Sequence, residues 1–313
     1  MKTDVSIIIV NYKTPKLVID CVKSIHDKSY GFTYEIIVVD NDSQDDSISA
    51  LKGSLGDEIT LIEAKKNLGT AKGYNLGASE ASGQYLWYLN SDTILLNNAG
   101  LILKQYLDYH PNVADVGANL FALDGTPASS FEKYKPAIGQ IKRSTNLFVI
   151  LFHRIFKKSL SINFNYKNKP MKIFDPSAAC MMLRANLLQK VGGWEKEIFM
   201  YGEEPLLCHR FSEEGYSSIN VPQAKLVHLE GASQGQNESF NPGRYRRFLD
   251  GTSVCFSKMY GDEAILRYLK VRLSAEKSVL IKHSLFGNKS KALISKQKVE
   301  ILTDYIVREE TKN

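Results

Sequence analysis

The apolar positions near the start of the chain form two short runs with a helically spaced set between them. Residues 5–10 (VSIIIV) and 35–39 (EIIVV) are rich in β-branched side chains, which is typical of strands buried on both faces of a parallel sheet. Thr14 is expected to cap a helix between them, with Pro15 in its first turn. The apolar positions of that helix are Leu17, Val18, Cys21, Val22 and Ile25. The pattern predicts a βαβ unit.

The same alternation of strands and helices continues along the chain. Further strands are predicted near residues 59–63, 85–89, 178–183 and 225–229. Further helices are predicted near residues 70–82, 97–110 and 185–191, in a segment ending near 214, and after 241. Right-handed crossovers between successive strands then give an α/β fold with a doubly wound, mostly parallel sheet flanked by helices. We expect one domain over residues 1–240 and a helical C-terminal extension over residues 241–313.

Polar residues follow four of the predicted strands, at the sheet edge where ligands of doubly wound folds bind. These residues are Asn11, Tyr12, Asp40, Asn41, Asn67, Asn90, Ser91 and Asp92. Because the carboxyl ends of parallel strands meet at one edge, we expect these side chains to lie close together. They are the first candidates for a functional site.

Three glycines, Gly69, Gly73 and Gly77, lie four residues apart and would form one bare stripe on a helix. Such a stripe lets another group approach the backbone closely, either a strand of the sheet or a ligand phosphate. Both interpretations stay open at this point. The segment is neither G-x-G-x-x-G nor a P-loop, so the dehydrogenase and P-loop classes are disfavoured.

Four ionisable residues have both a structural and a chemical interpretation. Asp92 can hold Mg²⁺ or Mn²⁺, although the spacing of Asn-Ser-Asp by itself favours a turn or a helix cap. Glu203 and Glu204 open a predicted helix, where the dipole favours acids, and one of them could instead deprotonate an attacking hydroxyl. His228 lies among apolar residues on a predicted strand, which by itself favours a partly buried structural histidine.

The composition predicts a soluble folded protein. Apolar residues make up 43% and charged residues 24% of the chain, near the averages of globular proteins. The apolar runs are far shorter than the ~20 residues that span a bilayer, and the N-terminus lacks a signal-peptide pattern. The four cysteines are dispersed without a CxxC pair, which favours a reducing compartment and argues against structural zinc. We therefore expect a cytoplasmic protein.

The formal charge of +6 is concentrated at the C-terminal end. Residues 241–313 hold 15 Lys and Arg against 8 Asp and Glu, a net of +7, which leaves −1 for residues 1–240. A basic tail can contact nucleic acid, an anionic membrane or only solvent. No nucleic-acid reader motif accompanies the charge, so we expect no nucleic-acid binding.

Residues 124–172 interrupt the alternation and are basic. Their middle, residues 141–160, could form a helix with an apolar side and basic ends, as an interfacial membrane helix does. A core helix of an acceptor subdomain explains the same pattern. The insert is therefore predicted to face either a membrane or an acceptor.

Five segments in a fixed order carry a family resemblance. They are VSIIIVNYKT, EIIVVDNDSQDDS, NLGTAKGYNLGASEASGQYLWYLNSDTIL, SAACMMLRANLLQKVGGWEKEIFMYGEEPLLCHRFSEEGY and VPQAKLVHLEGAS. Together they resemble family 2 glycosyltransferases of the GT-A fold, in particular the bacterial rhamnosyltransferase-like branch that builds surface polysaccharides. They cover residues 4–233 with gaps, and their order is the specific part of the resemblance.

The resemblance implies roles for particular residues. Those implied to bind a nucleotide-sugar donor are Asn11, Tyr12, Asp40, Asn67, Gly69, Lys72 and Asn90. Asp92 and His228 are implied to hold Mn²⁺ or Mg²⁺. Trp194 is implied to stack on an acceptor sugar. Glu203 and Glu204 are implied to be the catalytic pair, with Glu204 as the base.

The implied reaction is transfer of a sugar, with inversion, to a glycan or polyprenyl-linked glycan acceptor. Within the resemblance, rhamnose is the favoured sugar and UDP-hexoses come next. The basic insert and the basic tail suggest contact with the inner face of the membrane, where anionic lipids attract Lys and Arg.

The chain departs from the family pattern at three positions. Asn90 stands at the first aspartate of the DxD-like motif and leaves one carboxylate fewer near the metal. Glu204 stands at the usual aspartate base and is one methylene longer. Leu206 replaces a further common aspartate.

Two rival functions remain. A sugar nucleotidyltransferase shares the architecture, but it needs a glycine-rich loop after the first strand, where this chain has NYKTPK. A catalytically silent glycan-binding or assembly subunit is compatible with Asn90 and Leu206.

Overall fold

The computed structural model describes residues 3–136, 163–229 and 240–311. These residues fall into two compact units. The first contains residues 3–135 and 163–229 and is an α/β unit, and the second contains residues 136 and 240–311 and is helical.

The first unit is built on a mixed sheet. In spatial order its strands are β3 (Thr60–Glu63), β2 (Tyr34–Asp40), β1 (Val5–Asn11), β4 (Tyr85–Asn90), β10 (Cys180–Arg184), β6 (Val113–Phe121), β11 (Ser217–His228) and β5 (Thr93–Leu95). A short strand, β8 (Met171–Ile173), also pairs with β11. Two further short strands, β7 (Phe131–Glu132) and β9 (Asp175–Pro176), pair with each other.

Helices cover both faces of this sheet. One face carries α1 (Pro15–Lys28), α2 (Ser47–Leu55) and α4 (Ala99–Tyr109). The other carries α3 (Gly69–Ser79), α5 (Ala185–Lys190) and α6 (Glu203–Glu213). The side chains of β1 alternate between the two cores, with Ile7 and Ile9 in the first and Ile8 in the second. A strand buried on both faces therefore needs the continuous apolar run seen in its sequence.

The strand register brings polar residues together at one edge. β1 pairs in parallel with β2 and with β4, so Asn11 lies beside Asp40 and Val10 beside Asn90. β3 extends the parallel set, whereas β10 runs antiparallel to both β4 and β6. The predicted doubly wound, mostly parallel α/β fold is confirmed, with β10 antiparallel next to β4 and the short strands β5 and β8 antiparallel to β11.

The sequence pattern missed strand β6, because polar residues interrupt its apolar run. Asp115 and Asn119 are nevertheless buried. Asp115 Oδ2 accepts a hydrogen bond of 2.7 Å from Ser218 Oγ, and Asn119 Nδ2 donates one of 3.0 Å to Asn165 O. Polar side chains can occupy a buried strand when neighbouring elements supply their partners, and those partners lie far away in sequence.

The second unit consists of α7 (Pro242–Tyr260), α8 (Glu263–Leu285) and α9 (Lys289–Glu310). Its core residues are Leu249, Phe256, Ile265, Tyr268, Leu269, Ile301, Leu302, Tyr305 and Ile306. α8 and α9 form a hairpin that turns at Gly287, whose φ of 69° is in the left-handed region. The helical C-terminal extension expected from the sequence is confirmed.

The predicted amphipathic helix at 141–160 lies outside the described residues. Among the helices that the structure describes, none is both long and apolar enough to cross a membrane. The four cysteines are free and buried, as their apolar surroundings in the sequence predict.

We expect Gly77→Ala to lower the free energy of unfolding by about 1–3 kcal/mol. A Cβ on Gly77 would lie 2.5 Å from Ile8 Cγ2, and Ile8 is fully buried in the core. Urea or thermal unfolding followed by circular dichroism measures the change.

The matched control is Gly53→Ala in α2, where a Cβ would meet nothing within 4 Å. Removing a helical glycine in open space should raise the stability by about 0.5–1 kcal/mol. Equal stability of the two variants would contradict the close packing of α3 on β1.

Candidate functional site

The turn after β1 is organised by the side chain of Asn11, which is fully buried. Asn11 Oδ1 accepts hydrogen bonds from Thr14 N and Thr14 Oγ1, each of 3.2 Å, and Asn11 Nδ2 donates one of 3.3 Å to Ser43 Oγ. The Thr14 side chain therefore does not cap α1 as predicted, because its hydroxyl bonds to Asn11 instead. The amide of Asn11 is engaged with the protein, so the structure corrects its expected role from ligand contact to positioning of the turn.

Tyr12 is the accessible residue of this turn. Its side chain is 45% exposed, and Lys13 Nζ lies 5.4 Å from the ring centre. Lys13 has a left-handed φ of 60°, and its backbone N–H donates to Ser43 Oγ at 2.9 Å. The fixed turn thus leaves an aromatic ring accessible at the sheet edge.

Asp40 ends β2 beside Asn11 and is only 1% exposed. Its Oδ1 accepts a hydrogen bond of 3.3 Å from Ser43 N. Its Oδ2 is buried and has no hydrogen-bond partner among the described residues. An unmet buried acceptor costs about 1–3 kcal/mol or more. This oxygen is therefore ready to accept from a donor group of a ligand.

Three N–H groups at the start of α3, one of them on the preceding residue, are bonded within the protein. The pairs are Leu68 N with Asn41 Oδ1 (2.8 Å), Gly69 N with Asn67 Oδ1 (3.0 Å) and Thr70 N with Phe199 O (2.7 Å). These three groups are already satisfied and are not available to a phosphate. The side chain of Lys72, which is exposed, supplies positive charge in this helix instead.

The glycine stripe of α3 faces protein at all three positions. A Cβ on Gly73 would lie 3.1 Å from Val10 Cγ2, and Gly77 is similarly close to β1. At Gly69, whose φ is 76°, a Cβ would lie 2.2 Å from Phe199 O. Of the two interpretations left open by the sequence, the structure therefore supports close packing.

Tyr74 of α3 holds the side chain of Asn90 at the end of β4. Tyr74 Oη donates a hydrogen bond of 3.3 Å to Asn90 Oδ1. Burial raises the pKa of Tyr74 well above its ordinary value, and the charges of Glu204 and Glu203 raise it further. The hydroxyl therefore keeps its proton and remains a donor. This tyrosine holds the strand end within electrostatic range of the acid pair, although in the sequence it resembles an ordinary core aromatic.

Asp92 and His228 face each other beside this edge. His228 Nε2 lies 3.3 Å from Asp92 Oδ1, and both side chains are largely buried. Two neighbouring ligand atoms on one divalent cation lie about 3 Å apart, so the spacing fits a shared ion. Within the described part of the chain, no group of three His, Cys, Asp or Glu side chains could hold a metal. The remaining ligands would come from water or a bound anion, as is usual for Mg²⁺.

Glu203 and Glu204 open α6 as predicted; Glu203 is buried and Glu204 is half-buried. Burial raises the pKa of Glu203 well above its ordinary value, and the charge of Glu204 raises it further. Burial also raises the pKa of Glu204, while hydrogen bonds from the backbone N–H groups of Glu204 and Ala178 lower it in part. Glu203 Oε2 is buried without a hydrogen-bond partner among the described residues, whereas Glu204 accepts from the Ala178 N–H and is the more exposed of the two. The negative charge of the pair is therefore more stable on Glu204.

A short backbone segment, residues 178–179, connects the acid pair to the end of β4. Ala178 provides an N–H that lowers the pKa of Glu204, and Asn90 N donates a hydrogen bond of 3.3 Å to Ala179 O. This segment therefore connects Glu204 to Asn90, and the charge of Glu204 also acts on Tyr74, the hydrogen-bond donor of Asn90. The predicted carboxylates thus gather at one side of the sheet.

Asp175 is a further carboxyl near Glu204 that the sequence pattern did not indicate. It lies on β9, is 6% exposed, and its Oδ1 has no hydrogen-bond partner among the described residues. Burial raises the pKa of Asp175 well above its ordinary value, and the charge of Glu204 is the next cause. Its neighbours Phe174 and Pro176 follow no strand or helix period, so periodicity alone could not identify it.

Trp194 lies beneath the site rather than on it. Its side chain is 1% exposed, and its ring centre lies 5.2 Å from that of Tyr74 and 5.0 Å from that of Tyr88. Asn75 fixes the backbone of Trp194 with hydrogen bonds of 2.8 and 3.0 Å. A ring buried this deeply offers no face to a sugar, so the expected acceptor stacking is corrected to packing.

The chain is similar to curated bacterial proteins. It is 24% identical over 160 residues to the O-antigen biosynthesis protein RfbC of Myxococcus xanthus, a match that covers 51% of this chain and 12% of that protein. It is 33% identical over 61 residues to the N-acetylglucosaminyl-diphospho-decaprenol L-rhamnosyltransferase of Mycobacterium tuberculosis, with 20% of each chain covered. The chain thus spans well under two thirds of these relatives.

The fold is similar to that of solved structures. The mannosyltransferase PcManGT from Pyrobaculum calidifontis, solved in complex with GDP-Man and Mn²⁺, has a TM-score of 0.54 and 16% identity. The match covers 100% of this chain and 87% of that one. The likeness confirms the predicted GT-A architecture.

A family model matches most of the α/β unit. It is described as glycosyl transferase family 2 and matches residues 6–192, more than half of the 313 residues. The match contains β2 to β4, all of β1 except Val5, and the residues Asp40, Asn90 and Asp92. The chain therefore belongs to glycosyl transferase family 2.

Proposed function

We propose that this chain transfers a sugar from a nucleotide diphosphate donor to an acceptor hydroxyl, with inversion at the anomeric carbon. The observation that carries the proposal is the gathering of Asp92, Asn90 and Glu204 on one side of the sheet. A cation site beside a charged, partly desolvated carboxylate is the combination that this displacement requires. Membership of the family supports the same reaction.

The donor would bind across the ends of β1, β2 and β4. The free Oδ2 of Asp40 accepts from an N–H of the base, and the exposed ring of Tyr12 stacks on it. Asn67 lies on the route towards the diphosphate, where Lys72 supplies charge, and Gly69 acts indirectly by letting the start of α3 pack closely. Asn11 acts indirectly, because both of its amide atoms hold the turn.

Asp92 and His228 would hold Mn²⁺ or Mg²⁺. An ion held there would supply positive charge opposite the departing nucleoside diphosphate. Asn90 stands next to this pair, with its amide oxygen already bonded to Tyr74 at 3.3 Å. We therefore assign Asn90 to the donor rather than to the cation.

Glu204 would act as the base. It carries the negative charge of the acid pair, and it removes the proton of the acceptor hydroxyl as that oxygen attacks the anomeric carbon from the opposite face. The C–O bond to the acceptor forms as the bond to the diphosphate breaks, so one displacement inverts the anomer. Glu203 stays protonated and keeps a second negative charge out of the site.

The acceptor class is proposed from the relatives. One of them is named as an O-antigen biosynthesis protein and another as a rhamnosyltransferase that acts on a decaprenyl-linked sugar. We propose a glycan or polyprenyl-linked glycan of a surface polysaccharide as the acceptor, at the cytoplasmic face of the membrane. Rhamnose from dTDP-rhamnose is the first donor to test.

The proposal is tested by measuring nucleoside diphosphate release from UDP, dTDP and GDP sugars, with Mn²⁺ or EDTA and with acceptor extracts. Metal-dependent release that disappears in Asp92→Ala and Glu204→Gln supports it. If no donor is turned over and the folded protein still binds glycan, the chain is a silent binding subunit and the proposal fails.

Glu204→Gln should lower kcat about 10²–10⁴-fold, because the amide cannot accept the proton. Glu203→Gln keeps the shape of a neutral carboxyl and should lower kcat far less, which makes it the matched control. Steady-state kinetics at saturating donor separates the two variants. Equal losses of kcat in the two variants would contradict the assignment of Glu204 as the base and Glu203 as its neutral partner.

The pH dependence of kcat/KM follows from the same pair. The base works only when deprotonated, and burial raises the pKa of Glu204, so activity should fall on the acid side at a higher pH than the ~4.3 of an exposed glutamate. A profile that stays flat to that pH would contradict the assignment.

Asp92→Asn and His228→Ala should each weaken Mn²⁺ binding at least about tenfold. The measurement is calorimetry or electron paramagnetic resonance of the protein with a nucleoside diphosphate, which needs no turnover. The control is Asp57→Asn, a change at an exposed residue outside the site. Unchanged binding in both site variants would identify the pair as a structural contact.

A further inference from the structure

The end of the α8–α9 hairpin carries exposed apolar side chains, and we call residues 281–293 the hairpin tip. Its large apolar residues are Ile281, Leu285, Phe286 and Leu293, with exposures of 60%, 78%, 73% and 59%. Exposed side chains of this kind at one end of a folded hairpin need a physical reason, because single exposed apolar residues are normally scattered.

The apolar side chains are confined to a shallow layer. Ile281 and Leu285 lie one turn apart on the same face of α8, which is about 6 Å along the axis. Phe286 directly follows α8, and Leu293 lies in the second turn of α9. The layer is therefore about one helical turn deep. This depth matches the distance to which interfacial helices bury their apolar face in a bilayer, which is about 5–10 Å.

Positive charge surrounds this layer. Residues 277–299 contain six lysines and no Asp or Glu. Lys289 and Lys291 are exposed beside the turn, and Lys277 and Lys296 are exposed farther back. The opposite part of the same unit is different, because there basic residues pair with acids, as in the 2.7 Å contact of Lys270 with Glu310.

We propose that the hairpin tip docks on an anionic lipid surface. The apolar side chains enter the boundary between headgroups and acyl chains, and the lysines remain at the lipid phosphates with their stems along the apolar layer. Such docking would hold the chain where a lipid-linked acceptor is found, but it does not depend on sugar transfer.

Other partners fit these features less well. A second copy of the chain meeting the same tip would bring lysines against lysines, without acids to pair with them. Nucleic acid would use the lysines but offers no apolar layer for Leu285 and Phe286. An anionic bilayer surface meets both requirements at once.

The test is co-sedimentation of the full chain with vesicles of phosphatidylcholine alone or of equal parts phosphatidylcholine and phosphatidylglycerol. We expect binding to the anionic vesicles only, weakened by salt. Leu285→Ser with Phe286→Ser should lower the partition coefficient at least about tenfold. Lys289→Gln with Lys291→Gln should lower it about fivefold for each lysine.

Two controls match these variants. Val307→Ser changes an exposed apolar residue of α9 away from the tip, and Lys23→Gln with Lys28→Gln removes the same charge from α1. Both should bind vesicles as the native chain does. Far-ultraviolet circular dichroism establishes that the tip variants remain folded.

Equal binding to both vesicle types, or tip variants that bind as tightly as the native chain, would overturn the proposal. Self-association that the Leu285→Ser and Phe286→Ser changes abolish, without vesicle binding, would identify a second copy instead and also overturn it. The assay contains no nucleotide sugar, so either failure leaves the proposed transferase reaction untouched.

Discussion

The site depends above all on the close packing of α3 against β1. Glycines replace side chains along the contact face, so the helix backbone lies almost directly on Val10 and on the strand residues before it. At the N-terminal end of the same face, Gly69 allows Phe199 O to accept from the helix. This one contact sets the height of the helix above the sheet, and therefore the position of Tyr74 relative to Asn90. A larger side chain at these positions would move the donor side of the site away from the acid pair.

The second determinant is the withdrawal of carboxyl groups from water. Burial raises the pKa of Glu203, Glu204 and Asp175 together, and the charge of Glu204 acts on both of the others. In such a set the group with the smallest penalty carries the charge, and the rest stay neutral. A neutral environment around one charged carboxylate suits a base better than several competing charges do. The longer side chain of Glu204 therefore works in a setting that isolates its charge.

Charge also distinguishes the two units. The α/β unit gathers its notable acids in buried positions around the site. The helical unit exposes lysines and apolar side chains at one end, and its own core holds those helices together without them. The exposed lysines and apolar side chains of the hairpin tip do not contribute to this core. We propose that they contact lipid instead.

The sequence by itself determined the fold class and most of the candidate residues. Strands buried on two faces need continuous apolar runs, and polar residues at their carboxyl ends follow from chain order, so Asp40 and Asp92 were identifiable. Tertiary structure decided the roles. In the folded chain, Asn11 is hydrogen-bonded within its own turn and Trp194 is buried under the site. Asp175 lies close enough to Glu204 for the charge of Glu204 to raise its pKa. These outcomes depend on contacts between residues far apart in the chain, and a periodic pattern reports which face a residue occupies, not which partner it meets there.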